Sequence, residues 1–238
     1  MKLDLLVLAA HPDDAELCCS GTIVKHIKQG KKAGIIDLTR GELGTRGSAE
    51  IRDREAAASA QVLGLSVREN LGFRDGFFQN DEQHRLDIIR MIRKYQPDIV
   101  LTNALHDRHP DHGRAGDLAN DAIFLSGLRR IETADQGVQQ AEWRPRLVLQ
   151  YIQDRYIRPD IIVDISDEMD TKLESIRCFG TQFFNPQLDE PQTYISSPEF
   201  MDSILGRARE FGKDIGATFG EGFTSRKLLG VSSLFDLK

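Results

Sequence analysis

Along its first hundred residues the chain alternates short runs rich in leucine and β-branched residues with longer segments of helical periodicity. Such alternation builds βαβ units, and successive units close into a parallel sheet covered by helices on both faces. Leu3 to Ala10 predicts a buried strand, followed by a helix over Glu16 to Gln29 that Asp13 or Asp14 can cap and Gly30 ends. Ala33 to Leu38 predicts a second strand, Ala49 to Leu63 an alanine-rich helix stopped by Gly64, and Val67 to Leu71 a short strand. A helix over Glu82 to Tyr95 and a strong strand over Asp98 to Thr102 complete this half.

Beyond Thr102 the pattern is less regular. A polar stretch, Glu132 to Glu142, reads as a surface loop. Strands resume at Leu147 to Ile152 and Ile161 to Val163, and helices follow over Glu168 to Phe179 and Glu199 to Ile215. Between those helices lies an excursion, Gln182 to Pro198, whose Phe183, Phe184 and Tyr194 suit an interface or a site lid. No fixed repeat and no linker divides the 238 residues. Residues 1–238 therefore read as a single α/β domain, Rossmann-like, with a mostly parallel sheet, helices on both faces and a decorated C-terminal third.

Charge and cysteine content narrow the functional classes. With 31 Lys and Arg against 37 Asp and Glu, the net charge of −6 offers no footprint for nucleic acid. The apolar run Leu5 to Ala10 is far shorter than the roughly 20 residues that span a bilayer, so no membrane partner is expected. It runs straight into His11-Pro12-Asp13-Asp14 instead of a small-residue cleavage site, unlike a signal sequence. Cys18, Cys19 and Cys178 form neither a disulfide framework nor a CxxC pair, which fits a cytoplasmic location.

The chemistry concentrates in two places, each just after a predicted strand: His11-Pro12-Asp13-Asp14-Ala15-Glu16 and His106-Asp107-Arg108-His109-Pro110-Asp111-His112. Four of the six histidines fall in these two segments, whereas His26 and His84 sit in or at the start of helices as packing or solvated residues. In an open parallel sheet, ligands bind beyond the carboxyl ends of the strands where strand order reverses, and in the common 3-2-1-4-5 order that point lies between strands one and four. The two clusters should therefore meet in one crevice. A single His-Pro-Asp-Asp could be only a turn with a helix cap, but two clusters at paired strand ends need a further reason. Imidazole and carboxylate without thiolate suit a catalytic divalent ion of the zinc type, with three protein ligands and an open position. The candidate ligands are His11, one of Asp13 or Asp14, and one or two of His106, His109 and His112. The Gly-rich loop Thr39 to Gly47 lacks the spacing of a phosphate-binding loop.

Ala10-His11-Pro12-Asp13-Asp14-Ala15-Glu16 and His109-Pro110-Asp111-His112 resemble the two signatures of the PIG-L, or LmbE-like, zinc-dependent deacetylases, which remove an acetyl group from N-acetylglucosamine conjugates. Arg52-Asp53-Arg54-Glu55 resembles the family's RxxE segment. Ser196 to Phe200, Arg207 to Gly212 and Phe219 to Phe223 are similar to the branch that makes bacillithiol from N-acetylglucosaminyl malate. Ser20-Gly21-Thr22 stands where many members have Gly-Gly-Thr, a departure that touches helix packing. The resemblance implies that His11, Asp14 and His112 hold zinc, with iron(II) or another divalent ion also compatible. It makes Asp13 the general base, His109 the partner of the developing oxyanion, Asp111 the carboxylate orienting His109, and Arg52 and Arg108 substrate contacts. For Arg52 the bland alternative is a surface pair with Glu55 at i,i+3. The implied partner is a small glycoside, and the implied assembly a homo-oligomer, trimer or hexamer. Two other readings remain: a deacetylase of another conjugate, such as an inositol glycoside or a chitin oligomer, and a metal-binding module without turnover.

Overall fold

Strand β1 (Leu5–Ala9) is buried throughout, and its alternating side chains feed two separate cores. Leu6 and Leu8 point to one face with Ile36, Leu38 and Val100, while Leu5, Val7 and Ala9 point to the other with Ile35, Leu101 and Leu149. The computed structural model that shows this describes residues 1–236. After β1 come α1 (Asp14–Lys28), β2 (Ala33–Thr39), α2 (Ala49–Leu63), β3 (Val67–Phe73), α3 (Glu82–Tyr95), β4 (Ile99–Thr102) and α4 (Pro110–Ser126). A small hairpin follows, β5 (Ala134–Asp135) and β6 (Val138–Gln139), then β7 (Leu147–Tyr151), β8 (Ile161–Asp164), α5 (Met169–Arg177), α6 (Pro198–Asp214) and β9 (Gly220–Thr224).

Seven strands form one sheet in the order β3-β2-β1-β4-β7-β9-β8, and β9 alone runs opposite to the other six. Helices cover both faces. α3 and α4 supply Ile88, Ile89, Ile92, Leu118 and Ala122 to one core, and α1 supplies Ala15, Cys19 and Ile23 to the other. Each fully buried Leu or Ile here stabilises the fold by roughly 1.5–3 kcal/mol. Among the described residues no helix is long and apolar enough to cross a membrane.

Three elements differ from the sequence reading. Helix α4 had no counterpart in it, because Gly113 and Gly116 lower helix propensity. Both glycines are needed: a Cβ at either would lie 2.9 Å from the Leu105 or Asn103 carbonyl oxygen, so the helix start can sit close against the loop after β4. Strand β9 is equally disguised by its sequence Gly-Glu-Gly-Phe-Thr. A Cβ on Gly220 would come 2.7 Å from Ile162, and one on Gly222 would come 2.9 Å from Phe211. The stretch read as a loop over 132–142 contains the β5–β6 hairpin, turned at Gln136 and Gly137, both with positive φ.

The buried Glu221 of β9 fastens the sheet to helix α1. Its carboxylate accepts from the backbone amides of Gly21 (3.0 Å) and Thr22 (2.7 Å), while Lys172 Nζ donates to Glu221 (2.8 Å) and to the carbonyls of Glu16 (3.0 Å) and Leu17 (2.8 Å). A buried ion pair of this kind is tolerated because its remaining polar atoms are bonded. It anchors the helix whose first turn carries Asp14.

Candidate active site

Strands β1 and β4 are parallel neighbours, with Leu5 opposite Ile99 and Val7 opposite Leu101. Their carboxyl ends therefore release the two histidine-rich segments side by side, and each segment runs into a helix, α1 or α4. Asn103 stitches them together, its Oδ1 accepting from Ala10 N at 2.9 Å and its Nδ2 donating to Asp14 at 3.1 Å. Asp13 stands at the N-cap of α1 with φ of 119°, a conformation that costs a non-glycine residue about 1–3 kcal/mol. Its carboxylate does not cap the helix; it faces Arg52 Nη2 at 2.9 Å. A residue placed by the capping pattern thus has its side chain aimed into the crevice, held there by Arg52.

The histidines converge as the topology requires. His11, His109 and His112 offer ring nitrogens within 4.8 Å of one another and form a possible metal site. Asp14 lies between two of them, with Oδ1 3.1 Å from His112 Nε2 and Oδ2 3.6 Å from His11 Nδ1. On the outer side each of these two rings meets a carboxylate: His11 Nε2 is 3.0 Å from Asp75, and His112 Nδ1 is 2.5 Å from Asp107. Such backing fixes which nitrogen faces inward and raises its basicity, as is usual for metal-binding histidine. His109 has no carboxylate behind it; its Nδ1 accepts the Asp111 backbone N–H at 3.3 Å, which leaves the proton of the neutral ring on Nε2. His106 is exposed and outside the cluster.

Charge balance explains why the donor set fits a divalent cation. Burial disfavours charge on His11, but Asp111, Asp14 and Asp75 outweigh it and push the pKa well up. Burial likewise opposes charge on His112, and Asp14 and Asp107 raise it to about 9. Carboxylates that hold protons on these nitrogens would equally favour a metal ion in their place. Asp13 differs: burial pushes its carboxyl up to about 7 against the pull of Arg52. His109 is pushed down by burial and by the neighbouring His11 and His112.

These groups open into a cavity of about 370 Å³, within the ordinary range of small-ligand sites. Its walls include Arg46 of the Gly-rich loop, Gln182 and Tyr194 of the excursion, and Arg207 of α6.

A family model described as GlcNAc-PI de-N-acetylase, PIG-L, matches residues 6–123. The diacetylchitobiose deacetylase of Thermococcus kodakarensis is 31% identical over 75% of this chain and 70% of its own. The chain belongs to the PIG-L family. A 4-oxalmesaconate hydratase of Pseudomonas putida is 27% identical over 74% of this chain and 73% of its own, so relatives include a second reaction class. A probable N-acetyl-alpha-D-glucosaminyl L-malate deacetylase 2 of Bacillus anthracis is 27% identical over 75% of this chain and 81% of its own. Among solved structures, the conserved protein TT1542 of Thermus thermophilus superposes with a TM-score of 0.85 at 33% identity, covering 97% of this chain and 98% of that one.

Within this PIG-L domain the sequence-derived residues are not all placed as expected. Asp111 does not direct its carboxylate at His109: it accepts from Gly76 N (2.8 Å) and Arg114 (2.7 Å) and lies 3.4 Å from His11 Nε2, so it backs His11 together with Asp75. The i,i+3 pair of Arg52 with Glu55 does not form. Glu55 accepts from Thr181 N and Oγ1, whereas Arg52 is buried against Asp13 and the carbonyls of Pro12 and Gly41. Gly41 has φ of 64°, and a Cβ there would collide with the Arg52 guanidinium. Arg108 lies at the rim, half exposed, paired with Asp154 at 3.1 Å and lying 4.5 Å over the Tyr194 ring. Sequence reasoning missed Asp75, Asn103, Gln153 and Asp154. Each follows a strand end, after β3, β4 or β7, and that shared address was the available signal.

Proposed function

We propose that this PIG-L chain is a metal-dependent hydrolase that removes the acetyl group from an N-acetylglucosamine conjugate, with N-acetylglucosaminyl malate as the specific substrate. The observation that carries the reading is Asp13, a buried carboxylate beside the His11, Asp14 and His112 group that makes no bond to those histidines. A site that only bound metal would have no use for it. The diacetylchitobiose and malate-glycoside deacetylases among the relatives support the substrate class, and the stretches Ser196 to Phe200 and Arg207 to Gly212 favour the malate glycoside. The chitin-type and inositol glycosides stand as the alternatives.

His11, Asp14 and His112 would hold the ion, because these two histidines have carboxylates behind them and His109 has none. A divalent ion there supplies Lewis acidity, polarising the amide carbonyl and acidifying the attacking water; zinc, iron(II) and other divalent ions suit the set. Asp13 takes the water proton and delivers it to the departing amine nitrogen. Arg52 holds the Asp13 carboxylate in place for both transfers. His109, with its ring proton on Nε2, donates to the oxyanion that develops on the acetyl carbonyl oxygen.

The deciding experiment is release of free amine from N-acetylglucosaminyl malate by metal-replete and chelated protein. Release that stops with chelator and returns with zinc or another divalent ion is expected. Stoichiometric metal with no amine from this substrate, but amine from chitobiose or inositol conjugates, would move the assignment to those. Reading amine, and not substrate loss, also separates deacetylation from hydration.

A further inference from the structure

We infer that Arg207 recognises an anionic group, a carboxylate on the aglycone, in the substrate of this site. The inference rests on the deacetylase reading above and narrows its substrate class to acidic glycosides.

Four arginines line the cavity: Arg46, Arg52, Arg108 and Arg207. Three are already paired with carboxylates, Arg46 with Glu190 at 3.4 Å, Arg52 with Asp13 at 2.9 Å and Arg108 with Asp154 at 3.1 Å. These pairings remove Arg52 and Arg108 as the freest anion receptors. Among the described residues no carboxylate lies within ion-pair distance of Arg207. Its Nη2 donates to the Asp154 backbone carbonyl at 2.9 Å, which anchors the guanidinium but leaves its charge without a counter-ion. The Asp154 carboxylate itself is held by Arg108 Nε and by the Tyr194 hydroxyl at 2.9 Å.

The surroundings favour an entering anion. Leu17 and Ile204 lie beside Arg207 on the cavity wall, so an ion pair formed here is screened less than one in open water. A guanidinium anchored through one N–H still offers a two-pronged face that matches a carboxylate. The placement also suits the proposed chemistry. Cys18 lies on the same stretch of wall, four residues after Asp14, or about 6 Å along the helix axis. In an aminosugar C1 adjoins C2, which bears the scissile amide, so a C1 substituent falls about that far from the reacting carbonyl.

The test compares wild type with Arg207→Gln and Arg207→Lys on two N-acetylglucosaminides, the malate glycoside and the uncharged methyl glycoside. For Arg207→Gln the acidic-to-neutral ratio of kcat/KM should fall by at least about tenfold, carried by KM of the acidic substrate, with partial recovery in Arg207→Lys. Arg209→Gln, an exposed change whose parent guanidinium lies 5.7 Å over Phe219, should keep the wild-type ratio. A role confined to pinning the Asp154 loop would depress both substrates alike, and an unmoved ratio in folded, metal-loaded Arg207→Gln overturns the inference while deacetylation stands. Calorimetric binding of glucosaminyl malate reads recognition without turnover. A Kd weakened at least about tenfold in Arg207→Gln is expected, and equal Kd values overturn the inference. No amine from either glycoside in the wild type overturns the proposed function, and the binding measurement still decides the role of Arg207.

Discussion

At the base of the cavity His11, Asp13, Asp14 and His112 are at most 9% exposed and issue from the ends of two adjacent strands, whereas at the rim Tyr194 is 56% exposed and issues from an excursion before α6. The base is firmly held, His112 and Asp14 by two partners each and Asp13 by Arg52. His112 is fixed by Asp107 and Asp14, and Asp14 by Asn103 and Gln153. The rim is held by fewer and more exposed bonds, among Arg108, Tyr194 and Asp154. The difference assigns two tasks. Under the proposed deacetylation the base would keep the reacting groups within fractions of an ångström, and the rim would accept a variable part of the substrate.

Substitutions should sort accordingly, and the largest effects belong to the base. His112→Ala should abolish both metal retention and amine release, read by metal analysis of dialysed protein; retained stoichiometric metal would remove His112 from the ligand set. Asp13→Asn should keep the metal and lower kcat by about 10²–10⁴-fold, the usual range for a general base. Near-normal turnover would dismiss it from that role. His109→Ala should keep the metal and lower kcat by about 10²–10³-fold. Loss of metal in that variant would instead make His109 a ligand, which its position within 4.8 Å of the other two ring nitrogens allows geometrically. Asp107→Asn, one bond further out, should weaken metal affinity by about 10–100-fold in a chelator competition. At the rim, Tyr194→Phe removes one hydrogen bond to Asp154 and should change kcat/KM by less than about tenfold, chiefly through KM. A loss as large as that of Asp13→Asn would erase the distinction between base and rim.

The same division marks what could be read beforehand. His11-Pro12-Asp13-Asp14 and His109-Pro110-Asp111-His112 are local runs, and the alternation of strands and helices said they would meet. The strands at residues 3–10 and 33–38 were legible as short continuous apolar runs, buried on both faces of the sheet, and the helices at 49–63 and 82–95 as longer segments that bury one face at helical spacing. Helix α4 and strand β9 were hidden because their glycines answer to close neighbours, the Leu105 and Asn103 carbonyls and the Phe211 ring, which are contacts no local pattern records. The orientation of Asp111 was equally out of reach. In the chain it adjoins His109 and His112, yet in space its carboxylate backs His11, in the other cluster.

By itself the sequence determined the α/β architecture, the two histidine-rich strand ends and the residue types of a candidate metal site, because these follow from periodicities of two and 3.6 and from short contiguous motifs. Only the tertiary structure decided which carboxylate backs which histidine, that Arg52 holds Asp13, and that Arg207 alone among the cavity arginines has no carboxylate partner among the described residues. Those facts depend on distances between segments far apart in the chain, and electrostatic pairing is set by distance and burial, not by order along the backbone.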